Sequence, residues 1–374
     1  MPRPGRHAVL PVLDHDAGAR SDFVFALRQE AIRETRIDAR TVYESRVRPT
    51  FERERGRPPK DRHEVRRALL RDGFGQVSSA LRLLAQEMMW DTFGDATARQ
   101  LPALAAAADR LARRARGTLR LDPSVAMPRY VTAVDIHGMP GNYQGELGSG
   151  DLFAGAVYDQ GAFVRAVGSL GPYTEEFGRT AIRYLKGALS REPKRILDLG
   201  CAVGHSTLPY CEAFPDAEIH AIDVAAPMLR YAHARAEARG MVVHFSQQDA
   251  EHTSFPDGYF DVIVSHATLH ETATGAMQNI FNECFRLLAP GGITLHGDGP
   301  PWDRLPLFDA AVHDWDTHFN AEPFISKMHD LDQKAMLLAA GFSESDYIDV
   351  WVESHYTGTS GSTRGKAWFF GARK

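Results

Sequence analysis

The stretch that decides the fold is ILDLGCAVG, residues Ile196–Gly204. Three apolar residues and one acid lead directly into a turn with two glycines, which is the pattern of a buried parallel strand that ends tightly and feeds a helix. Glycine suits such a turn because a backbone that lies against a ligand leaves no room for a Cβ atom and often needs a positive φ. The stretch therefore predicts a small-ligand site at the end of a strand, where Asp198 accepts hydrogen bonds from a cationic or hydroxyl-bearing ligand.

The spacing of the glycines separates two classes of ligand. A dinucleotide site has the pattern G-x-G-x-x-G, with a pyrophosphate on the helix N-terminus. Here Gly200 and Gly204 are four residues apart, Ala202 takes the place of a middle glycine, and an acid precedes the first glycine. This arrangement resembles motif I of the class I S-adenosylmethionine-dependent methyltransferases, acid-x-Gly-x-Gly-x-Gly. A strand, turn and helix without a ligand would give the same pattern, so the following segments decide between the two interpretations.

The next predicted strand, Glu218–Asp223, also ends in an acid. Asp223 follows Gly200 by 23 residues, and an acid about 20 residues beyond the glycine turn is where a ribose diol is held in folds of this kind. The sequence VAAPML then resembles the D-x-S-x-x-M-L segment of the same family. That resemblance implies that Val224 and Met228 lie near the nucleoside.

Two further segments complete the resemblance. In the family an Asp-Ala pair holds the adenine through its carboxylate and the next backbone N–H, and Asp249–Ala250 has the corresponding place. Phe260–Ser265 resembles the F-D-x-I-x-S strand, and Leu288–Gly292 resembles the L-x-P-G-G turn. Four matching segments in order imply S-adenosyl-L-methionine as the cofactor. The residues implied to bind it are Asp198, Gly200, Cys201, Gly204, Asp223, Val224, Met228, Asp249, Ala250 and Ser265.

The alternation of strands and helices predicts an α/β fold with a doubly wound, mostly parallel sheet whose faces are covered. The resemblance implies seven strands in the order 3-2-1-4-5-7-6, the Rossmann-like methyltransferase fold. We predict an N-terminal helical region over residues 1–120, a lid or connecting segment over 121–173, and the S-adenosylmethionine-binding domain over 174–374. A substrate-side insertion is predicted at 297–341 within that domain.

Several local predictions concern segments outside the matched motifs. Residues 1–20 are rich in Pro, Gly, Arg and Asp and predict a loose arm, and helical spacing predicts one helix around residues 77–93 and another over 99–116. The apolar and β-branched residues of Tyr130–His137 predict a strand. A Gly/Ser/Thr loop, Gly358–Gly365, is predicted to join the last two strands as an antiparallel hairpin.

Composition and charge bear on the class of partner. A net charge of −5 gives no electrostatic reason to expect nucleic acid or an acidic membrane as a partner, so a small-molecule acceptor is favoured. The three cysteines form no even framework and no C-x-x-C pair, which favours a reducing compartment. With no apolar run of about 18 residues and no signal-peptide pattern, we expect a cytoplasmic protein. The helical front end is compatible with a homodimer.

Methyl transfer from a sulfonium is an in-line displacement, and a base is needed only when the acceptor carries a proton. Candidate bases follow strands four and five at the carboxyl edge of the sheet. We favour His270 as the base or a substrate ligand, with Glu271 to orient it, and His266 and Asp298 as the next candidates. Each has an alternative interpretation as a hydrogen-bonded structural histidine or a helix-capping acid. Metal ligation by the two histidines and Asp298 is the less favoured alternative, and we expect no metal.

Aromatic and histidine side chains in the lid and the insertion are the candidate substrate contacts, with simple packing as the alternative. They are Tyr158, Tyr173, His137, His296 and Trp315. The predicted function is transfer of a methyl group from S-adenosylmethionine to a metabolite or natural-product intermediate. Two alternatives remain open from the sequence: an enzyme of the same fold that uses the cofactor for cyclisation or lyase chemistry, and a non-catalytic cofactor-binding scaffold.

Overall fold

The computed structural model describes residues 2–30, 35–356 and 365–374, with side chains from residue 38 onward in the second range. The predicted loop Gly358–Gly365 lies outside these residues except for Gly365. One eight-stranded sheet forms the centre of the molecule. Its strands are β1 (Thr118–Arg120), β2 (Arg195–Leu199), β3 (Glu218–Asp223), β4 (His244–Gln247), β5 (Phe260–His266), β6 (Leu288–Gly297), β7 (Tyr347–Glu353) and β8 (Lys366–Arg373).

The strand order is β1-β4-β3-β2-β5-β6-β8-β7. The strands from β1 to β6 pair in parallel, whereas β8 is antiparallel to both β6 and β7. Without β1 this is the order 3-2-1-4-5-7-6, so the doubly wound fold, its order and the final antiparallel hairpin are confirmed. The strand β1, a three-residue edge strand whose residues pair with β4, was not predicted from the sequence.

The strand order reverses at β2, which pairs with β3 on one side and β5 on the other. Leu199, the last residue of β2, is level with Ile222 and Ser265 on the two neighbours. In open sheets of this type a crevice forms at such a switch point, outside the carboxyl ends of the strands. The turn after β2 and the ends of β3 and β5 therefore meet at one place.

Both faces of the sheet are covered by helices. The helices of the chain are α1 (His15–Gln29), α2 (Thr35–Val42), α3 (Arg48–Arg55), α4 (Arg62–Leu69), α5 (Gly73–Ala112), α6 (Arg129–Thr132), α7 (Phe153–Arg165), α8 (Glu176–Ala188), α9 (Leu208–Ala213), α10 (Ala226–Ala238), α11 (Thr274–Leu287), α12 (Leu307–His313), α13 (Trp315–Phe319), α14 (Ile325–Asp330) and α15 (Gln333–Ala339). Short π- and 3₁₀-helical turns lie at Tyr43–Val47, Ile136–Gly138, Asn142–Gln144, Leu269–Glu271, Trp302–Arg304 and Glu344–Asp346.

Successive residues of β2 enter opposite cores, as the two-residue period of a strand requires. Ile196 packs with Leu185 of α8 and Leu229 of α10, whereas Leu197 packs with Phe281 of α11. All five side chains are fully buried. None of the helices in the described ranges combines the length and apolar character that crossing a membrane requires.

The prediction of two separate helices at 77–93 and 99–116 was wrong, because α5 runs without a break from Gly73 to Ala112 with Pro102 inside it. Proline removes one backbone hydrogen bond and ordinarily breaks a helix. Here Trp90 before the proline and Leu104 after it are buried in the same hydrophobic cluster. Tertiary packing therefore holds both halves of the helix together despite the proline.

The prediction of a loose arm over residues 1–20 was also wrong. The Gly5 N–H donates a hydrogen bond to the Pro172 carbonyl at 2.6 Å, and His7 Nε2 lies 2.9 Å from Asp159 Oδ2. Val9 is fully buried, and the first helix already begins at His15. The arm is ordered because backbone and side-chain partners far along the chain pair with its polar groups.

Residues Tyr130–His137 form no strand, contrary to the prediction. A short helix and a 3₁₀ turn occupy the segment, and the side-chain amide of Asn142 donates to the carbonyls of Val131 and Val134. These carbonyls would have needed a neighbouring strand in the predicted structure. The asparagine satisfies them locally instead, and its sequence signal is indistinguishable from that of an ordinary turn residue.

The segment 297–341 contains four helices, α12 to α15, of which α12 packs against α4 of the N-terminal part. Phe308 and Ala311 share a buried cluster with Tyr43 and Val65, and Arg40 Nη2 lies 2.7 Å from Asp309 Oδ1. The helices that precede the sheet and the segment that follows β6 thus enclose a common interior next to the carboxyl edge of the sheet.

Candidate functional site

A cavity lies at the carboxyl edge of β2, β3 and β5, where the switch point predicts a ligand site. The turn after β2, the end of β3 and the segments after β4 and β5 form one wall, and α7 and the irregular segment before it form the other. Ten of the predicted site residues line it: Tyr158, Asp198, Gly200, Cys201, Asp223, Val224, Asp249, Ala250, His266 and Glu271.

The turn after β2 has the close approach that the sequence predicts. A Cβ atom on Gly200, which has φ +67°, would lie 2.3 Å from Cγ2 of Thr268, so no larger residue fits without displacement. Ala202 has φ +46°, a left-handed conformation in which L-residues other than glycine are strained. Its backbone N–H donates to Asp223 Oδ2 at 2.9 Å. A hydrogen bond therefore links the turn to the acid at the end of β3.

Asp223 combines burial with unused acceptor capacity. Its two oxygens each accept one backbone N–H at 2.9 Å, from Ala202 and Ala225, and an ionised carboxylate has about four acceptor positions in all. Burial raises the pKa of Asp223 to about 6, against the lowering effect of these backbone donors. At neutral pH the group remains an acceptor, and two positions suit a ligand with hydroxyl groups.

Asp198 is a buried acid that lacks a cation. Its Oδ2 accepts a hydrogen bond from Thr207 Oγ1 at 2.6 Å, and no basic side chain in the described residues lies within 4 Å of it. Burial raises the pKa of Asp198 to about 7, and the neighbouring Asp223 contributes to the shift. A cationic ligand in the cavity would compensate the charge, so the residue fits a ligand that carries an ammonium or sulfonium group.

Asp249 lines the same cavity farther along the edge and accepts the Glu251 N–H at 2.9 Å. Burial raises its pKa as well. The three remaining predicted cofactor residues do not line the cavity. Gly204 lies in the turn with φ +76°, Met228 is buried in the core beneath α7, and Ser265 Oγ lies 2.8 Å from His296 Nδ1.

His270, the favoured base, does not line the cavity and forms an ion pair with Asp298. Its Nδ1 lies 2.7 Å from Asp298 Oδ1, and its Nε2 lies 3.6 Å from Glu322 Oε2. Burial alone would lower the pKa of His270, but Asp298, Glu322 and Glu271 raise it to about 10. The imidazole therefore holds its proton at neutral pH and has no lone pair with which to accept another.

His266 has the opposite electrostatic character. Burial, together with the nearby His296, lowers its pKa to about 3, so it is neutral. Its Nε2 lies 3.0 Å from the Tyr210 hydroxyl, and its Nδ1 has no hydrogen-bond partner within the described chain. The two predicted histidines thus differ in the direction of their pKa shifts. The described residues contain no group of three or more His, Cys, Asp or Glu side chains suited to a metal ion.

Glu271 is the predicted catalytic acid that faces the cavity, and two side chains fix its position. Its Oε1 accepts the Tyr143 hydroxyl at 2.7 Å and lies 3.3 Å from His137 Nε2. His137 Nδ1 lies 2.8 Å from Glu322 Oε1. Burial and Arg165 lower the pKa of His137, but the two glutamates outweigh them and raise it. His137 is thereby buried between two acids and does not line the cavity.

The other predicted substrate residues are placed elsewhere, except Tyr158. Tyr173 lies under the Arg239 guanidinium at 3.9 Å, and His296 is fully buried, with Nδ1 and Nε2 2.8 and 2.9 Å from Ser265 Oγ and Thr294 Oγ1. Trp315 lines a second cavity, between the N-terminal helices and α12–α13.

Several residues of the cavity wall were not predicted from the sequence, among them Tyr143 and Arg165. Tyr143 belongs to an irregular Gly/Pro-rich segment, where function-bearing side chains are frequent. Arg165 ends α7, whose other residues are mostly small or apolar and buried. The helix has two charged residues, Asp159 and Arg165, and a charge in so apolar a helix is the signal that the sequence offers for both.

Comparison with known proteins identifies the domain at this site. Residues 196–292 match the family model described as a methyltransferase domain. A demethylmenaquinone methyltransferase of Thermus thermophilus is 40% identical over 114 residues, which are 30% of this chain and 51% of that protein. A trans-aconitate 2-methyltransferase of Methylobacterium radiotolerans is 33% identical over 191 residues, 49% of this chain and 70% of that protein.

Among solved structures, phosphoethanolamine N-methyltransferase 2 of Haemonchus contortus in complex with S-adenosyl-L-methionine is similar, with 17% identity and a TM-score of 0.40 over 58% of this chain and 57% of that one. The chain spans about half the length of the Thermus relative. It covers more than two thirds of the trans-aconitate methyltransferase at 33% identity. The match of that relative, together with the domain model, shows that the chain belongs to the class I S-adenosylmethionine-dependent methyltransferase family.

Proposed function

We propose that this protein transfers a methyl group from S-adenosylmethionine to a small-molecule acceptor. One observation carries the proposal: three acids, Asp198, Asp223 and Asp249, line one cavity at the switch point of the sheet, and no basic side chain of the described chain lies within ion-pair distance of them. Acids that face a cavity without a cation, one of them buried and two half-buried, favour a ligand that brings positive charge and hydrogen-bond donors of its own.

The residues of the cavity fit the parts of this cofactor. Asp223 has acceptor positions for the ribose hydroxyls, Asp198 suits the ammonium group of the amino acid end, and Asp249 with Ala250 suits the adenine edge. When bound, S-adenosylmethionine supplies an electrophilic methyl group on a sulfonium. The chain itself contributes position, because an in-line displacement depends on how the two partners are held.

The wall formed by α7 and the irregular segment before it suits an acceptor, and the turn after β5 adds Glu271 to it. Tyr143, Tyr158, Arg165 and Glu271 lie there, and the Tyr143 hydroxyl donates to Glu271 at 2.7 Å. Burial raises the pKa of Tyr158 to about 12 and that of Tyr143 well above its usual value, so both phenols stay protonated and donate hydrogen bonds. Glu271, held by Tyr143 and His137, is the group on this wall placed to accept a proton from an acceptor that carries one.

Calorimetric titration of the full chain with S-adenosylmethionine tests the cofactor site. We expect Asp223→Ala to weaken binding by about 1–3 kcal/mol, because the ligand hydroxyls lose their acceptor. Asp216→Ala is the matched control, since Asp216 is exposed on the same domain and forms no ion pair in the described chain. Wild-type protein that does not bind the cofactor, or equal affinities for the two variants, would refute the proposal.

The products separate the transferase from its alternatives. S-adenosylhomocysteine that appears in step with a methylated acceptor supports methyl transfer. Conversion of the acceptor with the cofactor intact supports cyclisation or lyase chemistry instead. Cofactor binding with no turnover across an acceptor panel supports a scaffold.

A further inference from the structure

The second cavity, of about 330 Å³, lies between the N-terminal helices and the helices α12 and α13. Its lining comes mainly from α1, α2, α4, α5, α7, α12 and α13, and all of it belongs to parts of the chain outside the matched methyltransferase domain. The cavity is within the size range of small-molecule sites, about 300–1,000 Å³. Leu69, Leu70, Phe74, Ala311, Val312 and Trp315 give it apolar walls.

Four arginines and one acid provide most of the charge on the walls. The arginines are Arg28, Arg66, Arg82 and Arg165, and the acid is Asp316. Three of the arginines have carboxylate partners. Arg66 is hydrogen-bonded to Asp314, Arg82 Nη2 lies 3.7 Å from Asp316 Oδ1, and Arg165 Nη1 lies 3.8 Å from Glu322 Oε1.

Arg28 is different, because no carboxylate of the described chain lies within 4 Å of its guanidinium. Its side chain is almost wholly enclosed, with the residue 6% exposed. Nη1 donates to Gln86 Oε1 and Nη2 to the Arg165 carbonyl, each at 3.1 Å, whereas Nε has no acceptor. Burial, with Arg165 and Arg82 nearby, lowers the pKa of Arg28 to about 9. The group is still a cation at neutral pH, and a buried cation without a counter-charge is costly.

The second cavity adjoins the first at Arg165, which lines both. The side chain of Arg165 is 30% exposed, and Asn320, on the wall of the second cavity, lies 3.2 Å from His137 Nδ1. His137 in turn contacts Glu271 on the wall of the first cavity. A molecule in the second cavity therefore lies next to the residues that face the cofactor edge.

We propose that the second cavity holds the acceptor, and that it selects molecules with an apolar body and one carboxylate, which pairs with Arg28. This inference rests on the proposed methyl transfer. The apolar walls receive the body, and the single unpaired guanidinium matches one negative charge, which favours a carboxylate over a doubly charged phosphate. The carboxylate is then the group by which the acceptor is recognised, and the methylated atom belongs to the part that extends past Arg165 toward the first cavity.

Equilibrium dialysis of the full chain with 3-phenylpropanoate and with 3-phenylpropanamide tests this, because the two probes share a skeleton and differ in charge. We expect the acid to bind about tenfold or more tightly than the amide, a difference of about 1.4 kcal/mol. Arg28→Met should remove the difference and leave the affinity for S-adenosylmethionine unchanged. Arg20→Met, an exposed arginine on the same helix, should keep it.

The comparison of acid with amide on the wild-type protein needs no variant, so it holds even if Arg28→Met does not fold. Equal binding of the two probes, tighter binding of 3-phenylpropyl phosphate, or discrimination that survives in a folded Arg28→Met protein would each overturn the inference. Equal binding of the acid and the amide by wild-type protein that binds S-adenosylmethionine normally would refute the carboxylate pocket alone. Failure of S-adenosylmethionine to bind while the acid still binds would instead refute the proposed methyl transfer.

Discussion

The two cavities that meet at Arg165 are built in different ways. The first is made by backbone: a turn with three left-handed residues, Gly200, Ala202 and Gly204, and acids at the ends of neighbouring strands. The second is made by side chains from seven helices, and three of its four arginines are paired across long sequence separations, as Arg66 is with Asp314. A site of the first kind has a short local signature, whereas a site of the second kind exists only after the helices have packed.

Among the substitutions that test this difference between the two cavities, the largest effect on stability is expected in the turn of the first cavity. Gly200→Ala places a Cβ atom 2.3 Å from Cγ2 of Thr268 and keeps φ at +67°. We expect a loss of about 2–4 kcal/mol in the free energy of unfolding, from backbone strain and overpacking together. Urea denaturation of the full chain measures it.

Two further variants separate the causes of that loss. Thr268→Ser in the Gly200→Ala background removes the clashing methyl group and should recover the overpacking part only. Gly187→Ala is the control, because nothing lies within 4 Å of its added Cβ atom on the exposed face of α8. Equal stabilities of Gly200→Ala and Gly187→Ala would show that the turn is not as tight as the structure has it.

A second prediction concerns the ion pair of His270 with Asp298, which joins the edge of the sheet to Glu322 in the segment of α12–α15. The pKa of His270 is raised in the folded state from 6.5 to about 10. Its stabilisation is therefore fully present below pH 6.5 and is lost as the pH rises toward 10, since the folded chain then keeps a proton that the unfolded chain has released. The expected slope is a loss of about 1.4 kcal/mol per pH unit.

The slope is measured from urea unfolding of the full chain at pH 7, 8 and 9, in parallel with His270→Gln. The variant lacks the titrating group, so its stability should fall less steeply over this range by about 1.4 kcal/mol per pH unit. Parallel curves for the two proteins would mean that the histidine is not held as a cation.

Much of the first cavity could be predicted from the sequence, because short local patterns of residues form its strand, its turn and its acids. The run Ile196–Gly204 fixes the strand, the turn and the acid, and the parallel strands then bring Asp223 and Asp249 to the same edge. The sequence placed Ser265 and Met228 on the cavity wall, but both are buried in the sheet and its covering helices. The direction of the side chain changes from one residue to the next along a strand or a helix. A sequence motif does not record which of these side chains point toward the cavity.

The second region was beyond sequence reasoning for a physical reason. Arg28 belongs to no sequence motif, and its hydrogen-bond partners Gln86 and Arg165 lie 58 and 137 residues away in the chain. The same holds for His137, which was expected to contact substrate and instead bridges Glu271 and Glu322 across 134 and 185 residues. Charged residues in such positions are identical in sequence to ordinary surface residues, and only packing distinguishes them.

The smallest of these changes in stability is expected for a substitution at Ala202. The family motif has glycine at this position, and the alanine here adopts φ +46°. Ala202→Gly should relieve about 1–2 kcal/mol of left-handed strain and cost about 0.4–1 kcal/mol in the entropy of the unfolded chain. We expect a net stabilisation between zero and about 1.6 kcal/mol in urea denaturation, with cofactor affinity retained because the N–H of residue 202 still donates to Asp223. Ala19→Gly, at an exposed position inside α1, should change stability by a similar amount in the opposite direction. If both substitutions destabilise equally, the alanine is unstrained, and the turn is fixed by Gly200 and the bond to Asp223 without any contribution from its middle residue.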